Sequence, residues 1–209
     1  MGWWTDRVVP HLADRSLSTG PVMRLRGQAV EGLSGRVLEI GFGSGLNAEL
    51  YPAEVDAVDA VEPSEVGWRL SEAHRRAAQV PVQRVGLDGQ RLEADDASYD
   101  AVLSTFTLCT IPDVVRALEE VRRVLRPGGA LHFLEHGRAP DARVVRWQRR
   151  LDPIQRRVAG GCHLSRDVPT LVGAARLQVV AVEGAYLPGP GLSHPWGYVY
   201  RGRAARADA

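Results

Sequence analysis

Lysine is absent from this sequence: all 26 of its Lys/Arg cations are arginine. Schiff-base chemistry, a P-loop phosphate lysine and a lysine general base are thereby excluded. Cysteine is scarce as well, with only Cys109 and Cys162, far apart and in no C-x-x-C pattern. That speaks against a disulfide framework or a zinc site and suits a reducing cytoplasm. Long apolar runs are missing: nothing approaches the roughly 18 residues a membrane-spanning helix needs. The N-terminus also lacks the charged-then-apolar order of a signal peptide. Neither sign of charge is in excess, since 26 cations against 25 acids leave a net +1, so a nucleic-acid groove has no compositional support. The expectation is one cytoplasmic domain of 209 residues, large enough to bury a substantial core.

The chain is organised around Arg36-Val37-Leu38-Glu39-Ile40-Gly41-Phe42-Gly43-Ser44-Gly45-Leu46-Asn47. Its first residues read as a strand, the glycines break it, and Asn47 onward opens a helix. Glycine lets the backbone approach a ligand closely, and a helix start offers unpaired N–H groups. The spacing is G-x-G-x-G, with Leu46 where a dinucleotide fingerprint wants a small third residue. This argues against NAD or FAD and leaves a nucleoside cofactor with no pyrophosphate to seat. A second strand, Val55 to Val61, ends in Glu62 and is stopped by Pro63, with Ser64 able to cap the following helix. Glu62 lies 17 residues beyond Gly45, about where a nucleotide-binding βαβ unit puts the carboxylate that grips ribose hydroxyls.

Residues 1–31 read as a helical arm, interrupted at Pro10, with Pro21 to Glu31 as its last helix; the arm is either a lid or packing on the sheet edge. Helices are expected over Ser64 to Gln79, Asp113 to Leu125 (ended by Arg126-Pro127-Gly128-Gly129) and Asp141 to Val158, the last interrupted at Pro153. Further strands are expected at Pro81–Gly86, Tyr99–Ser104, Ala130–Glu135, Gln178–Val182 and Trp196–Tyr200. Strands alternating with helices predict a single-domain α/β fold, a doubly wound (Rossmann-like), mainly parallel sheet whose late strand pair makes an antiparallel edge.

Glu39, Gly41, Phe42, Gly43, Gly45, Asn47, Glu62 and Pro63 together resemble the cofactor motifs of class I S-adenosylmethionine-dependent methyltransferases. The later series Thr107-Leu108-Cys109, Glu135-His136, Trp147-Gln148 and Gly161-Cys162-His163-Leu164-Ser165-Arg166 resembles a bacterial branch related to the thiol S-methyltransferases of animals. The resemblance implies S-adenosylmethionine as cofactor and a small-molecule methyl acceptor. It does not carry over a membrane location, because the hydrophobic anchor of the animal members has no counterpart here.

With that cofactor, Asp88 beside Gly89 is read as the acceptor for an adenine amino group, against a turn-forming Asp-Gly. The backbone of Ser104 and Thr105 is read as lining its amino-acid end. On the acceptor side, His136 is either a general base or a structural histidine. Cys109 is read as a pocket wall and Cys162 as packing; His163 and Trp147 are candidates for the substrate pocket, with Gln148, Trp3 and Trp4 around it. A thiol is the first acceptor class to test. An N- or O-methyltransferase of a lipid head group, quinone or secondary metabolite stays open, as do a non-enzymatic binding protein and a nucleotide-linked oxidoreductase.

Overall fold

Alternation decides which side of the sheet each residue serves. In the computed structural model, which describes residues 2–207, Leu38 and Ile40 point into one apolar cluster while Val37 points into another on the opposite face. Strand β1 (Gly35–Ile40) is therefore covered on both sides, as befits the centre of a parallel sheet. Around it lie β2 (Val55–Val61), β3 (Val82–Gly86), β4 (Tyr99–Thr105), β5 (Leu125–His136), β6 (Leu177–Tyr186) and β7 (Tyr198–Arg206). The seven strands run in the order β3-β2-β1-β4-β5-β7-β6. All neighbours are parallel except that β7 runs antiparallel to both β5 and β6. The late pair does form an edge, but its antiparallel member is the second strand in and β6 is outermost.

The arm is three helices, α1 (Trp3–Arg7), α2 (Val9–Leu17) and α3 (Gly20–Val30). Pro10 sits in the first turn of α2, where its missing N–H costs nothing. Helix α3 buries Val22, Arg26, Ala29 and Val30, an i, i+4, i+7, i+8 stripe, against the Val37 face of the sheet.

The expected helix from Ser64 splits into α4 (Glu65–Leu70) and α5 (Glu72–Ala77). Ser64 caps the first through a 3.0 Å bond from Gly67 N. The break falls at buried Ser71, whose hydroxyl donates back to Trp68 O at 2.7 Å and so competes with the helical backbone. Helix α6 (Val114–Val124) is capped by Asp113 and buries Leu118 and Val121 in the cluster that also holds Phe133. Residues 126–129, expected to be a turn, bulge out of β5, whose register jumps from Tyr99↔Leu125 to Ala101↔Ala130.

Helix α7 (Ala142–Val158) runs on through Pro153, contrary to the expected interruption. Its buried residues, Val145 and Gln148, anchor it upstream, so one lost backbone bond does not end it. Helix α8 (Val168–Ala174) was not anticipated, although Asp167 as cap and Pro169 in the first turn are ordinary start signals. Strand β6 extends well past Val182 because β7 pairs with it as far as Tyr186. Trp196, expected in a strand, lies in the short helix α9 (His194–Gly197), which Pro195 starts.

Candidate functional site

The carboxyl ends of β1, β2 and β4 meet at the glycine turn. Gly41, Gly43 and Gly45 all have positive φ, of 75°, 57° and 79°. At Gly41 a Cβ would stand 2.0 Å from Thr107 Oγ1, so the loop after β4 packs directly on the turn. At Gly43 a Cβ would meet only Gly41 O within 4 Å, which leaves that backbone approachable. The Phe42 side chain is buried, its ring 5.6 Å from that of Trp68.

No helix follows the glycines. Bonds from Gly45 N to Phe42 O (3.0 Å), Ala48 N to Gly45 O (2.9 Å) and Leu50 N to Asn47 O (2.8 Å) make successive turns instead. Asn47 and Tyr51 spend their side chains on strand-end groups, and Pro52 leaves too few residues for a helix to nucleate. The expected helix-start anion site is therefore absent, and the backbone donor at this corner is the turn itself. Gly43 N donates to Glu62 Oε2 at 2.6 Å, while Ser64 N donates to Glu62 Oε1 at 2.6 Å. Glu62 is thus fixed against the turn with acceptor capacity remaining on both oxygens. Burial pushes its carboxyl up, opposed by those two backbone bonds and by Arg84. Pro63, just beyond, is exposed.

Under the turn lies a buried polar network. Glu39 Oε1 accepts from Asn47 Nδ2 at 2.7 Å, and Oε2 accepts from Tyr51 OH. Asn47 Nδ2 also reaches Thr105 Oγ1 at 2.9 Å. A guanidinium nitrogen of Arg26 donates to Asn47 Oδ1 at 3.0 Å and to Thr105 Oγ1 at 2.8 Å. Asn47, expected to touch the cofactor, instead spends its amide holding the glycine turn to β1 and β4. Burial lowers Arg26 to about 10 against the pull of Glu39. Sequence reasoning passed over Arg26 and Tyr51, yet an arginine on the apolar stripe of α3 was itself the signal of a buried acid nearby.

Burial lifts Glu39 to about 7, against hydrogen bonds from Tyr51 and Asn47, and lifts Glu62 and Glu135 in the same sense. The folded state therefore keeps protons that the unfolded chain loses above about 4.5. This stabilisation is complete below that value and disappears as pH rises through about 7. Urea unfolding without cofactor should give about 2 kcal/mol less stability near pH 7.5 than near pH 5. Glu39→Gln should reduce the slope, leaving the part that comes from Glu62 and Glu135, and stability that rose across this window would contradict the network.

At the end of β3, Asp88 is exposed and accepts from Gln90 N at 2.8 Å, the turn-forming arrangement. Gly89 is buried, and a Cβ there would stand 2.8 Å from Ile40. Ser104 Oγ donates to Glu135 Oε1 at 2.7 Å. Fully buried Glu135 also accepts from the backbone of Thr107 (3.0 Å) and Cys109 (3.3 Å), so it shapes the loop that presses on Gly41.

His136 follows at the end of β5. It is buried, with Nδ1 3.6 Å from Cys162 Sγ and Nε2 without a partner among the described residues. Cys162 is only half-buried and contacts Cys109 and His136, not His163, which instead lies 3.7 Å from Asp152. Trp147 is 48% exposed on α7 beneath Arg150, so the structure does not bring it to the other acceptor candidates. Its neighbour Gln148 is buried and clamps the backbone of Gly137 and Ala139, rather than forming an apolar wall. Trp3 is exposed; Trp4 donates from Nε1 to Val158 O at 2.9 Å, tying the arm to the end of α7. The arm also touches α4, whose Gly67 packs on Gly43.

The sheet order and its helices define the Rossmann-like methyltransferase fold. Residues 38–133 match the family model described as a methyltransferase domain. The chain is 33% identical to thiol S-methyltransferase TMT1B of Rattus norvegicus over 173 residues, 81% of this chain and 70% of that one. It is 35% identical to the Mus musculus TMT1B over 182 residues, 85% of this chain and 74% of that one. Phosphatidylethanolamine N-methyltransferase of Cereibacter sphaeroides is 33% identical over 109 residues, 51% of this chain and 53% of that one. Among solved structures, an S-adenosylmethionine-dependent methyltransferase from Mesorhizobium loti superposes with a TM-score of 0.65 at 16% identity, over 90% of this chain and 98% of that one. The [4+2]-cyclase SpnF does so with 0.71 at 19%, over 90% and 82%, so the fold alone does not fix the chemistry. The chain belongs to the S-adenosylmethionine-dependent methyltransferases, and S-adenosylmethionine is its methyl donor. The open backbone at Gly43 and the buried acceptor beside it suit a nucleoside with a free diol. No helix among the described residues is long and apolar enough to cross a membrane.

Proposed function

We propose that the protein methylates a small-molecule thiol. The observation that carries this reading is the extent of the likeness to the rat and mouse thiol S-methyltransferases, 81% and 85% of this chain, against 51% for the N-methyltransferase. S-adenosylmethionine supplies a methyl group on a positively charged sulfur, so the chain's own work is to bind, align and exclude water. In this reading Glu62 accepts the two ribose hydroxyls, and the backbone of Gly41–Gly45 seats the nucleoside. Asp88 and Gly89 flank the adenine, and Ser104 and Thr105 offer backbone at the amino-acid end. Residues 2–31 form a lid within the single domain, supported by the contacts of the arm with α4 and with Val158. Cys109 and His163 border the acceptor.

A thiol is a few per cent thiolate at neutral pH and strongly nucleophilic, so it needs little help from a base. An alcohol or phenol acceptor would need one, and the unpartnered Nε2 of buried His136 is the observation that favours this second reading. A panel of thiols, amines, phenols and carboxylates, assayed for release of the demethylated donor, tests the two together. Thiols should turn over fastest, and His136→Ala should lower their kcat by less than about tenfold. A loss of about 10²–10⁴-fold would mark His136 as a general base and favour the oxygen or nitrogen acceptor.

A further inference from the structure

The sulfurs of Cys109 and Cys162, 53 residues apart in sequence, lie 3.7 Å apart. Nδ1 of His136 stands 3.6 Å from the Cys162 sulfur on another side. Three separate segments converge to make this cluster, and each is held by its own backbone bonds. Cys109 N donates to Glu135 and its carbonyl accepts from His163 N at 2.8 Å. Cys162 N donates to Ala159 O at 3.0 Å, in a turn built on the positive φ of Gly160 and Gly161. The two thiols differ in access, because Cys109 is 2% exposed while Cys162 is half-buried. Methyl transfer to a free thiol uses neither of them as a reactant.

We propose that Cys162 and Cys109 form a thiol–disulfide exchange site, with Cys162 attacking and Cys109 resolving, for small carboxylate-bearing disulfides. The Cys162 sulfur attacks one sulfur of the ligand; the ligand S–S bond breaks and its other half leaves as a thiolate that takes a proton. The Cys109 sulfur, giving up its proton, then attacks Cys162 in the mixed disulfide and expels the second half as a thiol. One protein dithiol is oxidised to a disulfide and one ligand disulfide is reduced to two thiols; an external dithiol reverses the protein step. A disulfide needs its sulfurs about 2.05 Å apart, so the starting separation calls for a modest approach of the Cys109 loop.

The environment matches the order of events. The hydrogen bond between the sulfurs and the nearby imidazole favour the thiolate at Cys162, while that same bond and full burial keep Cys109 protonated until it is needed. Gly161 and His163, on either side of Cys162, line an open cavity of about 400 Å³ with Arg156 and Arg157; Cys162 itself is not part of that lining, so a ligand seated there reaches the sulfur past its two neighbours. Two guanidinium groups and no acid among its lining residues favour a ligand carrying carboxylates.

The test is independent of the methyl acceptor, since exchange consumes no methyl donor. The reduced full-length protein is incubated without oxygen with dithiodipropionate and followed by intact mass and release of mercaptopropionate. The wild type should lose the mass of two hydrogens and release two thiols per chain. Cys109→Ser should stop at a single adduct, mapped by peptide analysis to Cys162, and Cys162→Ser should form no adduct at a comparable rate. Cystamine, which carries amines instead, should react about tenfold more slowly. Retention of both thiols by the wild type, a disulfide between two copies, or an adduct on Cys109 in Cys162→Ser would overturn the proposal. If Cys162→Ser does not fold, the adduct position in Cys109→Ser decides alone. A protein that fails here yet methylates thiols leaves the proposed function standing.

Discussion

Glu62→Ala should all but abolish binding of S-adenosylmethionine. In the proposed pose its carboxylate accepts from two hydroxyls, and hydrogen bonds to a charged group contribute about 1.5–3 kcal/mol each. Their joint loss of about 3 kcal/mol or more raises Kd about 150-fold, well within reach of titration calorimetry. The residue also holds Gly43 N and Ser64 N at 2.6 Å each, so some of the loss could come from a loosened turn. A donor product lacking one ribose hydroxyl separates the two contributions. The wild type should bind it markedly less well than the intact nucleoside, whereas Glu62→Ala should barely distinguish them. Equal discrimination by both proteins would mean that the diol is held elsewhere.

Arg26→Ala should produce the largest loss of fold stability. Arg26 is 5% exposed and its guanidinium joins Asn47 to Thr105, with Glu39 the acid that most offsets its burial. Removing one member of a buried charged set leaves the others uncompensated, at a cost of about 3–5 kcal/mol. For a chain of this size that lowers Tm by about 10 °C. Combining Arg26→Met with Glu39→Gln should cost less than the sum of the two single changes, because together they remove both charges. A single-variant loss below about 1 kcal/mol would show that the network is incidental to the fold.

These two residues also mark how far the sequence could be read. The place of Glu62 against the glycine turn was legible because it depends on position alone: a strand, a proline stop and a set distance from the glycines. Arg26 was not, because its meaning lies in a partner on another element, and a helical stripe does not say which acid it faces. The missing helix after Gly45 failed for a related reason. Local propensity favoured a helix there, but side-chain bonds from Asn47 and Tyr51 to strand-end groups took precedence. The contact of Cys162 with the imidazole of His136 was not legible either, since it is made between the end of β5 and the turn after α7, 26 residues apart in sequence. The strands fared best, because a short apolar run bounded by glycine, proline or acids is a signal each segment carries by itself.

The position of β7 has a consequence for how the molecule comes together. Among the described residues strand β6 pairs only with β7, and β7 is also what joins it to the rest of the sheet. A growing polypeptide makes β6 first and must then hold it in waiting, its Val180 and Val182 exposed even in the finished protein. Until residues 198–206 leave the ribosome, that ribbon has α8 to pack on but no place in the sheet, and its edges are open to mispairing with another chain. Assembly on this side is a last-in, centre-placed step, and the two outermost strands are gained or lost together.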